Sequence, residues 1–104
     1  MRLANMENTD FTNSNLAGAN FSSSILKEVV LTESNLKKVI MDRVFIKSAN
    51  FTSSDLTEAS ITNSNLNFLR MSNVVLKDIK FTDNKIRFVK GLSDEQKEAL
   101  LENN

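Results

Sequence analysis

The chain has no cysteine, histidine, tryptophan, tyrosine or proline, and only two glycines. Without cysteine there is no disulfide framework and no thiolate metal site. Without histidine the many Ser and Thr hydroxyls lack the usual activating base. Gly18 and Gly91 are too few for a phosphate-cradling loop. Charge of one sign is also missing: 13 basic and 13 acidic residues give a net charge of zero. That balance carries no signal for direct nucleic-acid binding or for an anionic membrane. Apolar runs are only a few residues long, too short to span a bilayer. Residues Met1 to Glu7 lack the apolar core of a secretory signal. These absences set the expectation of one 104-residue, non-catalytic, cytoplasmic unit with no cofactor and no metal.

What is present is a ladder. Every fifth residue from Met6 to Ile86 is Phe, Leu, Ile or Met, without exception. Five residues advance a helix by about 500°, which scatters such residues around the cylinder. Five is odd, so on a flat strand they alternate between faces. A single core face forms only if the chain bends once per repeat. The position two residues earlier is mostly small or β-branched, as in Ala19, Ser34, Val39, Ala49, Ser54 and Ser64. A spacing of two places both residues on the same side of a short strand. Each repeat is therefore a short strand and a corner. Corners close a loop, and stacked loops bury a continuous interior, as in a solenoid.

The segments Ala19-Asn20-Phe21-Ser22-Ser23, Ser34-Asn35-Leu36-Lys37-Lys38, Ala49-Asn50-Phe51-Thr52-Ser53 and Ser54-Asp55-Leu56-Thr57-Glu58 resemble the Ala-Asp/Asn-Leu-x-x units of pentapeptide-repeat proteins. The resemblance covers residues 4 to about 90 and keeps phase without insertion. It implies an all-β, right-handed, quadrilateral β-helix with four repeats per 20-residue coil. About four coils are expected over residues 1–90, with a short capping helix in 91–104. At about 4.8 Å per rung the rod would be roughly 20 Å long. The resemblance also implies a second function, binding to a type II topoisomerase by imitating duplex DNA, as in quinolone-protecting members of the family. Such a mimic should be acidic. Residues 1–92 instead hold 12 basic and 9 acidic residues.

A 20-residue coil sorts the side chains into columns. Large inward columns include Phe11, Leu31, Phe51 and Met71, and aromatic stacking along the axis is expected there. The outward residue before each large one is often Asn or Asp, at positions 5, 10, 15, 20, 35, 50, 55 and 65. Side chains of this kind bond nearby backbone at turns. Thr12, Thr32, Thr52 and Ser72 form an outward hydroxyl rank, and Asp78 and Asp83 lie outward on adjacent sides; structural roles are expected for all six.

Some outward positions break the polar rule. Ile25 and Phe45 share one outward column, and Phe68 and Phe88 share another on the same side of the rod. Lys27, Lys47, Asn67 and Arg87 run between them. Apolar groups beside a basic row mark an interaction surface, so Ile25, Phe45, Phe68, Phe88, Lys27, Lys47 and Arg87 are the expected contact residues. The partner is another protein or a second copy, joined through this side or through the N-terminal coil. No direct contact with nucleic acid or membrane is expected. Val30, Ile40 and Val75 are isolated exceptions elsewhere.

The ladder stops at Gly91. Ser93 followed by Gln96 reads as a capping box opening a helix, with Asp94 and Glu95 in its first turn. Leu92, Ala99, Leu100 and Leu101 are expected to cover the end of the solenoid. Met1 falls on the five-residue register, so the other end is expected to be open or paired.

Overall fold

The computed structural model describes residues 5–102. The expected register position of Met1 lies outside them. Seven three-residue strands and one helix follow in order: β1 (Ile25–Lys27), β2 (Ile40–Asp42), β3 (Phe45–Lys47), β4 (Ser60–Thr62), β5 (Asn65–Asn67), β6 (Lys80–Thr82), β7 (Lys85–Arg87) and α1 (Asp94–Glu102). The odd-numbered strands form one parallel sheet and β2, β4 and β6 form another. Register partners are 20 residues apart, as in Ile25↔Phe45, Phe45↔Asn65 and Asn65↔Lys85. Parallel bridges build the other two sides, through Asp10, Val30, Asn50, Arg70 and Lys90 and through Asn15, Asn35, Asp55 and Val75. A bridge from Asn5 to Ile25 adds a fifth rung to the first sheet. The result is a four-sided parallel β-solenoid, 31 × 25 × 23 Å in extent.

Adjacent coils are zipped by backbone bonds on every side. Met6 N–H donates to the Ile25 carbonyl at 2.9 Å, Phe11 to Val30 at 2.7 Å, Leu16 to Asn35 at 2.8 Å and Phe21 to Ile40 at 2.8 Å. Two residues past each large inward residue the backbone turns left-handed, from Asn8 (φ 60°) to Phe88 (φ 58°). That conformation costs a non-glycine residue about 1–2 kcal/mol, and the stacked bonds on both flanks hold it. Many corners close as type II turns, with Ser14 N–H bonded to the Phe11 carbonyl and Ala19 N–H to Leu16, both at 3.0 Å.

The outward Asn and Asp residues act at these corners. The side-chain oxygens of Asp10, Asn15, Asn20, Asn35, Asn50 and Asp55 each accept the N–H two residues on, at 2.9–3.2 Å. Asn65 departs from this pattern. It lies in β5 and its side chain accepts from Asn67 Nδ2 at 3.4 Å. The corner between the two sheets is closed from the next coil instead. Val44 N–H donates to Ser64 Oγ at 3.0 Å, and Ser64 N–H donates to Asn84 Oδ1 at 2.9 Å. Asn84 Nδ2 then donates to the Ile61 carbonyl at 2.8 Å. This accounts for polar Ser64 and Asn84 being buried in an otherwise apolar interior.

The ladder fills the interior. Leu26, Leu31, Leu36, Met41, Ile46, Phe51, Leu56 and Leu66 are buried almost completely. Near the ends Phe11, Leu16, Leu76 and Ile86 are only partly buried. The expected axial stacking of core aromatics is not what forms: Phe11 and Phe21 meet edge-on at 6.5 Å, since they reach into the interior from opposite sides of one coil rather than from one column. The stacked pair is outside, at Phe68 and Phe88.

At Gly91 the backbone (φ +95°) drops onto the coil, and a Cβ there would collide with Ser72 Oγ and lie 2.5 Å from Ser72 N. The capping box then forms, with Gln96 N–H on Ser93 Oγ and Ser93 N–H on Gln96 Oε1, both at 3.1 Å. Gln96 Nε2 also reaches the Val74 carbonyl at 3.0 Å, tying α1 to the solenoid. Leu100 is buried and Leu92 half-buried, but Ala99 and Leu101 are exposed. The expected four-residue cover is thus carried by two residues, because a nine-residue helix of this pitch turns only part of its surface inward.

Candidate protein-interaction surface

The β1-β3-β5-β7 side positions the expected contact residues. Register pairing sets Ile25 beside Phe45 at the leading edge of the sheet. The same pairing lines up Lys27, Lys47, Asn67 and Arg87. Phe68 and Phe88 follow at the trailing corner, both left-handed (φ 56° and 58°). Their rings stack at 4.9 Å with planes 13° apart, and the Arg87 guanidinium lies 5.6 Å from the Phe88 centroid. Two apolar pairs thus form on opposite edges and on different rungs, with the basic row between them.

Phe68 and Phe88 are 49% and 60% exposed, so about half of each side chain stays in contact with water. Among the described residues every other left-handed corner position holds Asn, Asp, Ser, Glu, Lys, Arg or Gly. Left-handed backbone suits Gly and Asn, and a bulky residue there is unusual. The solenoid alone does not account for two aromatic residues at successive corners.

Beside the rings runs a groove of about 390 Å³. Its far wall is Arg70 and Lys90, paired in register, with Val30 and Asn50 above them. No carboxylate lines it. The sequence reading left out Arg70 and Lys90, although each lies two residues beyond an exposed Phe and the pair repeats after 20. A second hollow of about 240 Å³ links Phe88 to exposed Leu101 past Ile86, Val89 and Leu92.

Charge differs along the rod. Toward the first coils, cations meet carboxylates of the same or the adjacent coil: Lys27–Glu7 at 4.0 Å, Lys37–Asp55 at 3.7 Å, Lys38–Glu58 at 3.9 Å and Arg43–Asp42 at 3.4 Å. Among the described residues, none of Arg70, Arg87 and Lys90 has such an ion pair. Residues 70–90 hold six basic and two acidic side chains.

The perturbed carboxylates lie elsewhere and have structural causes. The Thr12 hydroxyl and N–H hold Asp10 below the ordinary carboxylate value. Asn63 Nδ2 and the Thr62 hydroxyl do the same for Asp42, and the Thr57 hydroxyl for Asp55. Hydroxyls of the expected rank are engaged too, since Thr12 donates to Asp10 and Thr52 to Asn50, both at 2.5 Å. Asp78 and Asp83 are exposed at separate corners. Among the described residues no group of three His, Cys, Asp or Glu side chains could hold a metal ion, and no helix is long and apolar enough to cross a membrane.

Four sides, 20-residue rungs and left-handed corners every fifth residue define a parallel β-solenoid built of five-residue units. The family model for pentapeptide repeats matches residues 4–44 and 46–83, and the chain belongs to the pentapeptide-repeat family. No curated protein matches it in sequence. Among solved structures it is similar to a pentapeptide-repeat protein, Rfr23, from the cyanobacterium Cyanothece 51142, with 24% identity and a TM-score of 0.80 over 83% of this chain and 58% of that one. It is also similar to QnrB1, a plasmid-mediated fluoroquinolone resistance protein, with 17% identity and a TM-score of 0.68 over 74% of this chain and 39% of that one. The chain thus spans between about two fifths and three fifths of these proteins, and the likeness is one of fold.

Proposed function

We propose that the chain is a non-catalytic protein-binding scaffold that presents the β1-β3-β5-β7 side and its trailing corner to a partner. The observation that carries this function is the exposed Phe68–Phe88 stack at two left-handed corners, where Asn or Gly would suit the backbone better. Around it lie Ile25, Phe45, Lys27, Lys47 and Arg87, an apolar and basic mixture suited to a protein surface. A filled solenoid offers rigidity to such a surface and no enclosed site for chemistry.

The test is capture from native lysate with the wild-type chain and with the Phe45→Ser/Phe68→Ser variant. A specific protein held by the first and lost by the second, with both chains folded, is the expected result. Identical captures would overturn the proposal.

A topoisomerase-binding function ranks second. Its one support is the shared fold with QnrB1, and the six basic and two acidic residues of segment 70–90 oppose a mimic of a polyanion. A gyrase supercoiling assay showing inhibition or quinolone protection at micromolar protein would promote it.

A further inference from the structure

We infer that the groove between the Phe68–Phe88 stack and the Arg70–Lys90 column binds an acidic peptide segment of a partner protein, anchored by an aromatic or large aliphatic side chain. The inference rests on the scaffold function proposed above and names the chemistry of the partner. Two kinds of group converge on the groove. One wall is the exposed stacked rings, with Arg87 over the outer one. The other wall is two cations held one rung apart by backbone pairing of Arg70 with Lys90.

The contrast with the first coils decides the sign of the ligand. There Lys27, Lys37, Lys38 and Arg43 each meet a carboxylate of this chain, whereas Arg70, Arg87 and Lys90 have none among the described residues. Like charges one rung apart repel, so a carboxylate placed between Arg70 and Lys90 relieves a cost already present in the free protein. An apolar side chain of the same segment meets the rings and the half-buried Val30. Rungs about 4.8 Å apart set the cations at a spacing that neighbouring acidic side chains of one peptide can reach.

A nucleic acid is also anionic, but it fits less well. Lys90 is followed in the chain by α1, where Asp94, Glu95, Glu98 and Glu102 outnumber a lone Lys97. A long polyanion continued past the groove would run against those carboxylates. A short acidic peptide stops before them.

The test is fluorescence anisotropy on the full chain. The probe is a labelled peptide in which Glu and Asp flank two central Phe residues. Matched peptides carry Gln and Asn, or Lys, in place of the acids, and a single-stranded oligonucleotide is a fourth probe. The expected result is saturable binding of the acidic peptide alone, weakening with salt. Affinity should fall about tenfold or more in Arg70→Gln/Lys90→Gln, equivalent to about 1.4 kcal/mol, with melting unchanged. Equal binding of the neutral peptide would overturn the acidic ligand while leaving the scaffold function standing. Stronger binding of the oligonucleotide would overturn it in favour of nucleic acid. Failure of every peptide, with identical lysate captures by wild type and Phe45→Ser/Phe68→Ser, would overturn both.

Discussion

At the scale of the residue, position within the five-residue unit decides what a side chain does. The large residue is core, and Phe51 is its clearest case, buried at the middle of the rod. Phe51→Ala should cost about 3–5 kcal/mol, measured by urea denaturation; a loss below about 1 kcal/mol would contradict full burial. Gly91 is set by space and conformation together. Its left-handed backbone lies against Ser72 with no room for a Cβ. Gly91→Ala should lower stability by about 1–2 kcal/mol from conformation alone, and more where Ser72 must shift. Gly18 makes the opposite case, because it is left-handed but open to solvent. The same substitution there should cost no more than the conformational part, and the difference between the two melting shifts checks the steric account.

At the scale of the element, a coil is a rung whose corners are closed by side chains. Asp10, Asp42 and Asp55 are held below the ordinary carboxylate value of 3.8 by hydroxyl and amide donors in the fold. A depressed folded value means the ionised group favours the folded state. That contribution is complete above the unfolded value and fades as pH falls through the folded values. Urea midpoints should therefore decline below about pH 3.8, and less steeply in an Asp10→Asn/Asp42→Asn/Asp55→Asn variant. Identical acid profiles would exclude these corners as the cause. Much of this level was legible in the sequence. The period of five gave the rungs, and the outward Asn and Asp gave the turn caps. The inter-sheet corner was not legible, because the Val44–Ser64–Asn84 relay joins residues whose roles emerge only when coils are stacked. Leu101 was misassigned for a similar reason: which helix residues face the solenoid depends on how α1 sits, and the Gln96 bond to Val74 fixes that.

At the scale of the molecule, Lys27, Lys37, Lys38 and Arg43 meet carboxylates of this chain, whereas Arg70, Arg87 and Lys90 meet none among the described residues. The 20-residue column rule placed Phe68, Phe88 and Arg87 outward on one side of the rod, where they lie. It missed the groove, because Arg70 and Lys90 look like ordinary polar outward residues until their lack of carboxylate partners is seen in space. The central claim is that the Phe68–Phe88 stack serves binding and not folding. The direct measurement pairs thermal melting with acidic-peptide affinity for the Phe68→Asn/Phe88→Asn variant. Asn suits the left-handed corners at both positions. The expected result is melting unchanged or raised, with affinity lost by about tenfold or more. A variant that melts well below wild type while keeping its affinity would show that the rings hold the fold together, and would contradict the account.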